Sequence, residues 1–195
     1  MRFLTVFLLA VVLAACNSAP KTLGTFLSNP KGPNFAPLET LHPEHAMVYI
    51  YRPANSWGNQ EMQAPSFFVG GNRVFGLKSG SYSWLEMEPG EFDFYARRPL
   101  TLLHLTTVFE LPLKVAANEV YYFRYSESQP LDLALMGWEG LDLMADGPLQ
   151  QVPEDFAREE IRLLKLDSAG VYLRGDKEKA PRWKPFSSVE EVSDR

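Results

Sequence analysis

The chain is poor in the side chains that build disulfides, metal centres and nucleophilic active sites. It has one cysteine, Cys16, and three histidines among 195 residues. A single cysteine cannot close an internal disulfide, and a thiolate zinc site usually needs several such ligands. The folded protein must therefore be held together by packing alone.

A surplus of positive charge and a long apolar run are also missing. The net charge is −5 at pH 7, and an acidic surface repels phosphate backbones, so nucleic acid is not an expected partner. The apolar run over residues 3–12 is interrupted soon afterwards by Asn17 and Pro20. A membrane-spanning helix needs roughly 20 apolar residues, so we expect no spanning helix here.

The start of the chain has the order of a secretory signal peptide. Arg2 precedes the apolar run, and Leu13-Ala14-Ala15-Cys16 follows it, which is the charged, apolar and small-residue order of such peptides. With Cys at the first mature position, these residues resemble the lipobox of bacterial lipoproteins. The resemblance implies cleavage of residues 1–15, thioether lipidation of Cys16 and acylation of its new amino group.

The residues after Cys16 bear on which membrane would hold the anchor. Asn17 and Ser18 stand where an Asp would resemble an inner-membrane retention signal. The resemblance therefore implies the outer membrane, with the domain facing the periplasm. Each buried CH₂ of an acyl chain contributes about 0.8 kcal/mol, so two or more chains would anchor the protein stably.

Composition predicts four regions. After the signal peptide, residues 16–45 contain several prolines and small polar residues and are expected to form a tether, part of which is apolar enough to pack on the domain. Residues 46–174 are expected to form the folded domain. The charged tail, residues 175–195, is expected to be loose.

Short β-rich runs separated by turn residues fill the domain. Met47-Val48-Tyr49-Ile50-Tyr51 ends at a proline, Gly70-Gly71-Asn72 suits a hairpin turn, and Pro89-Gly90 suits another. Pro112 would place its strand, residues 109–115, at a sheet edge. This spacing predicts a small β-sandwich or, as the alternative, a small barrel.

One amphipathic helix is expected over about residues 153–166, packed on the sheet. Pro153 suits the first helical position, and acidic residues follow it at the positive end of the helix. The apolar stripe consists of Phe156, Ala157, Ile161 and Leu164.

Several motifs resemble an uncharacterised bacterial lipoprotein domain family over about residues 47–166. They are Val48-Tyr49-Ile50-Tyr51-Arg52-Pro53, Phe68-Val69-Gly70-Gly71-Asn72, Gly76-Leu77, Gly80-Ser81-Tyr82, Pro89-Gly90 and Ala157-Arg158-Glu159-Glu160-Ile161. The stretch from Gly70 to Gly90 is also similar to the small envelope β-sandwich modules called PEGA domains. Both resemblances imply an immunoglobulin-like or PEGA-like sandwich, and neither implies a catalytic residue.

The segments flanking Pro89-Gly90 provide one candidate binding surface. If they formed a hairpin, its outer face would pair Glu86 with Asp93, Trp84 with Tyr95, and Tyr82 with Arg97. That face could be a glycan or peptide platform, or a cation site for an ion such as Ca²⁺. A solvated turn is the simpler interpretation, and we predict no metal.

Trp57 is the second candidate, because a loop tryptophan among small polar residues is typical of an interface anchor. A loop that folds back and buries its tryptophan is the alternative. His42-Pro43-Glu44-His45 could suggest a metal, but solvated tether residues are the simpler interpretation. Neither a G-x-S-x-G nor an H-E-x-x-H motif occurs.

These patterns together favour a membrane-anchored lipoprotein of the cell envelope that acts as a non-catalytic binding or assembly module without a cofactor. Expected partners are the membrane, through the acyl chains on Cys16, and another envelope protein or peptidoglycan. A glycan- or peptide-binding lipoprotein using the Trp84 and Tyr95 face is the alternative, and an envelope hydrolase is a third.

Overall fold

The computed structural model describes residues 23–101, 104–132, 136, 147–167 and 171–173. The predicted signal peptide, Cys16 and the tail over residues 175–195 lie outside these residues. Within them, no helix has the length and apolar character needed to cross a membrane.

Two β-sheets and one helix form the described domain, which confirms the predicted sandwich. The elements are β1 (Ala46–Arg52), β2 (Ser66–Val69), β3 (Asn72–Gly76), β4 (Ser81–Met87), β5 (Gly90–Thr101), β6 (His104–Val115), β7 (Val120–Tyr125), β8 (Leu149–Gln151), α1 (Glu154–Ile161), β9 (Lys165–Leu166) and β10 (Val171–Leu173). The first sheet has the order β10-β4-β1-β7-β8, with β9 also paired to β4; the second has the order β3-β2-β5-β6. The short 3-10 turn Gly58–Gln60 lies between β1 and β2.

The main core lies between the two sheets. Alternate residues point inward because side chains on a strand have a period of two. Phe67 lies at its centre, with ring centroids 5.1 to 6.0 Å from those of Phe75, Phe94, Phe109 and Tyr125. Buried aliphatic side chains complete this core: Val48, Ile50, Val69, Val74, Leu77, Leu85, Leu111, Leu113, Val115 and Leu149.

A second core covers the outer face of the first sheet. Helix α1 contributes Ala157 and Ile161 to it, and the segment before β1 adds Phe35 and Leu38. Beneath them lie the buried side chains Met47, Tyr49, Tyr51, Tyr82, Trp84 and Tyr122. Strand β1 is consequently buried along its whole length, antiparallel to β4 on one side and parallel to β7 on the other.

The helix is shorter than predicted. Pro153 has extended backbone angles, φ −60° and ψ 151°, and occupies the N-cap position, so its prediction as the first helical residue is wrong. The helix ends at Ile161 because the chain turns there and Lys165–Leu166 pairs in parallel with β4. Leu164 still reaches the second core from this turn.

Residues 23–45 do not form a free tether. Isolated bridges join Leu23 to Gln63 and Asn34 to Lys165. The Leu38 N–H donates to the Tyr49 hydroxyl at 2.7 Å, and the Phe35 ring meets Tyr49 edge-on at 5.1 Å between centroids. Apolar side chains in this segment make docking more favourable than exposure, and Phe35 and Leu38 pack against the second core.

Turn predictions had mixed outcomes. The Gly70-Gly71 hairpin is confirmed, with positive φ at both glycines as a tight turn between β2 and β3 requires. Strand β6, with Pro112, lies at an edge of the second sheet as expected. The Pro89-Gly90 hairpin is wrong, because β4 and β5 belong to different sheets.

Candidate functional site

The side chains predicted to share one face around Pro89-Gly90 lie on opposite sides of the sandwich. Trp84 and Glu86 are on β4 in the first sheet, which pairs with β1. Asp93, Tyr95 and Arg97 are on β5 in the second sheet, which pairs with β2 and β6. The predicted pairs of Trp84 with Tyr95 and Glu86 with Asp93 therefore do not form. A turn that crosses between sheets has the same local composition as a hairpin turn, so alternation alone could not separate them.

Glu86 is a buried structural carboxylate rather than part of an exposed acidic cluster. It is 1% exposed, and one carboxylate oxygen lies 3.0 Å from His45 Nδ1 and accepts the His42 N–H at 3.1 Å. His45 is buried too, so the solvated interpretation of this histidine is wrong. Through these contacts the carboxylate links the segment before β1 to the first sheet. Among the described residues, no group of three or more histidine, aspartate or glutamate side chains could hold a metal ion.

Trp84 is buried in the second core and cannot serve as a binding platform. The outer face of the first sheet, where its ring lies, is covered by α1 and by the segment before β1. The predicted glycan or peptide platform is therefore wrong for Trp84, one of its two aromatic residues.

Tyr95 has a different partner on the outer face of the second sheet. Its ring stacks on Phe68 of β2, with centroids 4.9 Å apart and planes 7° from parallel. The Arg97 guanidinium carbon lies 4.9 Å from the Tyr95 ring and 5.5 Å from the Phe68 ring. We call Phe68, Tyr95 and Arg97 the Tyr95 face; all three are half-buried.

The Tyr95 face follows from strand register. Residues 66 and 68 of β2 alternate outward between the buried Phe67 and Val69, and Phe68 stands directly opposite Tyr95. Asp93, two residues before Tyr95, is exposed and stands opposite Pro112. Sequence reasoning missed Phe68, although the outward position of Phe68 could have been read from the β2 alternation.

A buried charged network closes one end of the sandwich. Arg52, 1% exposed, donates two hydrogen bonds to the Glu61 carboxylate, one of them 2.7 Å long, and one to the Leu77 carbonyl at 3.2 Å. Arg98 of β5 donates to the same carboxylate at 2.8 Å and to Glu127 at 2.5 Å. Glu61 thereby links an arginine of the first sheet to an arginine of the second.

This network affects the protonation of its members. Burial alone would lower the pKa of Arg98, but the hydrogen bonds and charges of Glu127 and Glu61 raise it overall. The Tyr125 hydroxyl donates to Glu127, and its pKa is raised well above the ordinary value, first by burial and then by that carboxylate. Both groups hold their protons at neutral pH, which suits a structural network.

Trp57 lies over this network at the surface. The residue is 44% exposed, and the guanidinium carbon of Arg98 lies 4.7 Å from the ring and that of Arg52 5.9 Å. The loop therefore does not bury its tryptophan. Cation–π contacts with two arginines fix the ring in place.

The buried charged groups and the Tyr95 face differ in their capacity to bind a partner. The charged groups of the Glu61 network neutralise each other inside the fold, and the Glu86 carboxylate is hydrogen-bonded to the His42 N–H and contacts the His45 ring. The Tyr95 face instead places two half-buried aromatic rings and a half-buried guanidinium on the outer surface of the second sheet, a combination suited to recognition.

Residues 42–138 match the model of a family described as a protein of unknown function, DUF2846. The match runs from the residues just before β1 to beyond β7, so it includes the whole second sheet, β1, β4 and β7 of the first sheet, the Tyr95 face and the Glu61 network. No curated protein and no solved structure matches the chain.

Proposed function

We propose that this chain, whose residues 42–138 form a DUF2846 domain, is a lipid-anchored lipoprotein of the bacterial cell envelope and acts as a non-catalytic binding or assembly module. Acyl chains on Cys16 hold it at the outer membrane, facing the periplasm. The Tyr95 face engages another envelope protein. The lipobox-like Leu13-Ala14-Ala15-Cys16 supports the anchor.

The observation that carries the binding role is the composition and position of the Tyr95 face. Tyrosine and arginine are enriched among residues that dominate binding energy, and aromatic residues are enriched in interfaces generally. The two rings hold each other in one orientation, so little side-chain freedom remains to be lost on binding. On the first sheet the corresponding outer face is covered by the protein itself.

The stacking favours a protein partner over a glycan. A sugar ring binds best on a free aromatic face, but Phe68 and Tyr95 each use one face for the other ring. The half-buried Arg97 guanidinium can donate hydrogen bonds to peptide carbonyls and carboxylates. Glycan binding through Tyr95 is therefore the weaker candidate, and Trp84 cannot assist it.

The use of the buried charges supports a non-catalytic role. A catalytic acid or base has to contact a substrate, in a cleft and with a suitable pKa. The buried carboxylates Glu61 and Glu86 instead contact Arg52, Arg98 and His45 within the fold.

The test is photo-crosslinking in living cells with a photoreactive phenylalanine derivative at Tyr95. We expect a discrete protein adduct at this position, and loss of that adduct in a background carrying Arg97→Glu. The matched control places the same derivative at Val120, an exposed residue at the start of β7. Absence of any protein adduct at Tyr95, in cells where the protein is anchored, would contradict the binding role.

Anchoring is tested separately by membrane fractionation. Cys16→Ser removes the only thiol that could carry a lipid, so we expect this variant to be lost from the outer-membrane fraction, where the parent protein is found. Equal distribution of the two proteins would contradict the lipid anchor and would leave the proposed binding role of the Tyr95 face unaffected.

A further inference from the structure

Five exposed apolar side chains lie on two adjoining segments near the start of the described chain. We call them the apolar patch: Leu23, Phe26, Leu27, Trp57 and Met62. Each is between 44% and 67% exposed. Large apolar side chains scattered singly on a surface need no explanation, but a contiguous group is typical of an interaction site.

Backbone hydrogen bonds hold the two segments together. The Gly24 N–H donates to the Met62 carbonyl at 2.7 Å, and the Phe26 N–H donates to the Glu61 carbonyl at 3.1 Å. A Cβ at Gly24 would lie 2.0 Å from the Glu61 carbonyl oxygen, so only glycine permits this approach. The Thr25 side chain is buried and its hydroxyl donates to the Ser79 carbonyl at 3.4 Å. The patch is therefore part of the fold.

The patch is also uncharged. Residues 23–28 and 56–63 contain one ionisable side chain, Glu61. That carboxylate is buried and paired with Arg52 and Arg98. On a chain of net charge −5, this surface can approach anionic lipid without repulsion from its own exposed side chains.

The distance to the anchor limits where the patch can be. Six residues lie between Cys16 and Leu23, so seven steps from one Cα to the next join them. Fully extended, they reach about 25 Å, and as a flexible chain they average roughly 15 Å. A lipid on Cys16 would therefore hold the patch next to the bilayer surface at all times.

We infer that the apolar patch docks on the membrane itself, so that the domain lies on the bilayer with the Arg52 end of β1 toward the lipid. This inference rests on the lipid anchor proposed above. Tryptophan concentrates at membrane–water interfaces, and apolar side chains on a surface add to an acyl anchor as a second attachment. The tryptophan of the patch is Trp57.

The opposite end of the sandwich offers a matched control. Val120 is an exposed apolar residue, 48% exposed, and stands beside Met47 at the other end of β1. Arg52 lies five residue steps along the strand from Met47, which corresponds to about 16 Å. If the Arg52 end faces the lipid, Val120 faces water.

The experiment uses the full, lipidated chain in vesicles of phosphatidylethanolamine and phosphatidylglycerol. Because lipidation consumes Cys16, the one native cysteine, Met62→Cys or Val120→Cys supplies the only free thiol, to which an environment-sensitive fluorophore is attached. We expect lipids carrying a spin-label quencher to quench the probe at position 62 several-fold more than the probe at position 120. Equal, weak quenching at both positions would overturn the inference.

A second variant separates insertion from mere proximity. Phe26→Ser with Leu27→Ser, introduced into the Met62→Cys chain, replaces two exposed side chains that are not part of the core. We expect quenching at position 62 to fall to the level at position 120. Unchanged quenching would mean that these side chains do not hold the domain on the lipid, against the inference.

Vesicle flotation of the same samples separates the two proposals. Chains that float without quenching at position 62 retain the anchor and contradict patch docking, leaving the patch for a protein partner. Chains that do not float contradict the anchor and, with it, the docking.

Discussion

The two sheets of this sandwich are covered differently. The first sheet is buried on both faces, by the second sheet on one side and by α1 with the segment before β1 on the other. The second sheet is buried on one face, and its outer face carries the half-buried Tyr95 face. Exposure of an aromatic side chain in this fold therefore depends on what packs above the sheet rather than on the strand that carries it.

The burial patterns of the strands reflect part of this difference between the two sheets. All seven residues of β1 and all seven of β4 are buried, whereas β2 alternates between half-buried and buried. The covered face of the first sheet uses tyrosines because their hydroxyls find partners there. Tyr49 accepts the Leu38 N–H, Tyr51 donates to Glu160 at 2.8 Å, and Tyr82 donates to the Asn34 carbonyl at 3.2 Å.

The largest expected effect comes from breaking the link between the sheets. Glu61→Ala leaves Arg52 buried without a carboxylate, so we expect the free energy of unfolding to fall by about 3–5 kcal/mol. Urea unfolding followed by circular dichroism measures the change. Glu110→Ala removes an exposed carboxylate from β6 and should stay within about 0.5 kcal/mol of the parent. A similar small change for Glu61→Ala would mean that the network does not join the sheets.

The next largest effect is expected from replacing a tyrosine by alanine on the outer face of each sheet. Tyr49→Ala empties a site in the second core and should cost about 3 kcal/mol. Tyr95→Ala loses a half-buried stacking contact and should cost about 1 kcal/mol. The same unfolding experiment measures both. Equal costs would contradict the distinction between a covered and an open face.

A third effect appears only at alkaline pH. Burial raises the pKa of both Tyr49 and Tyr82 from 10.0 to about 12. Their folded-state pKa values lie above the unfolded value, so the stability they contribute is fully present below pH 10 and is lost as the pH rises toward 12. Tyrosinate absorbance followed alongside circular dichroism should show these groups ionising as the first sheet unfolds. Ionisation near pH 10 with the fold intact would contradict the covered face.

The smallest effect concerns how α1 is held. Arg158 and Glu154 form an exposed ion pair at 2.6 Å on the helix surface, and such pairs contribute about 0.3–0.5 kcal/mol. Arg158→Ala should therefore change stability by no more than that, while Ile161→Ala, in the second core, should cost about 2–4 kcal/mol. Thermal unfolding of the two variants compares them. A larger loss for Arg158→Ala would show that charge rather than apolar packing holds the helix.

Part of the candidate site could be predicted, because its residues share one strand. Tyr95 and Arg97 are two positions apart on β5, and the alternation correctly placed them together. Trp84 and Glu86 were placed with them wrongly, since the Pro89-Gly90 turn leads into the other sheet. Phe68 was missed because it reaches Tyr95 only through pairing of β2 with β5, which lie far apart in the chain.

The sequence by itself determined the local features of this protein. Alternation of apolar residues identified the strands, glycines at 70 and 71 set the β2–β3 turn, and the apolar stripe identified the helix. These features depend on neighbours a few residues apart, whose geometry is dictated by the backbone.

Only the tertiary structure decided which sheet each strand joins, where Phe35 and Leu38 pack on the domain, and that Glu61 meets two arginines. It also brought the two segments of the apolar patch together. Each of these contacts joins parts of the chain that no local pattern relates. Each forms because burial of apolar surface and pairing of buried charges depend on residues that are distant in the chain and meet only in the folded protein.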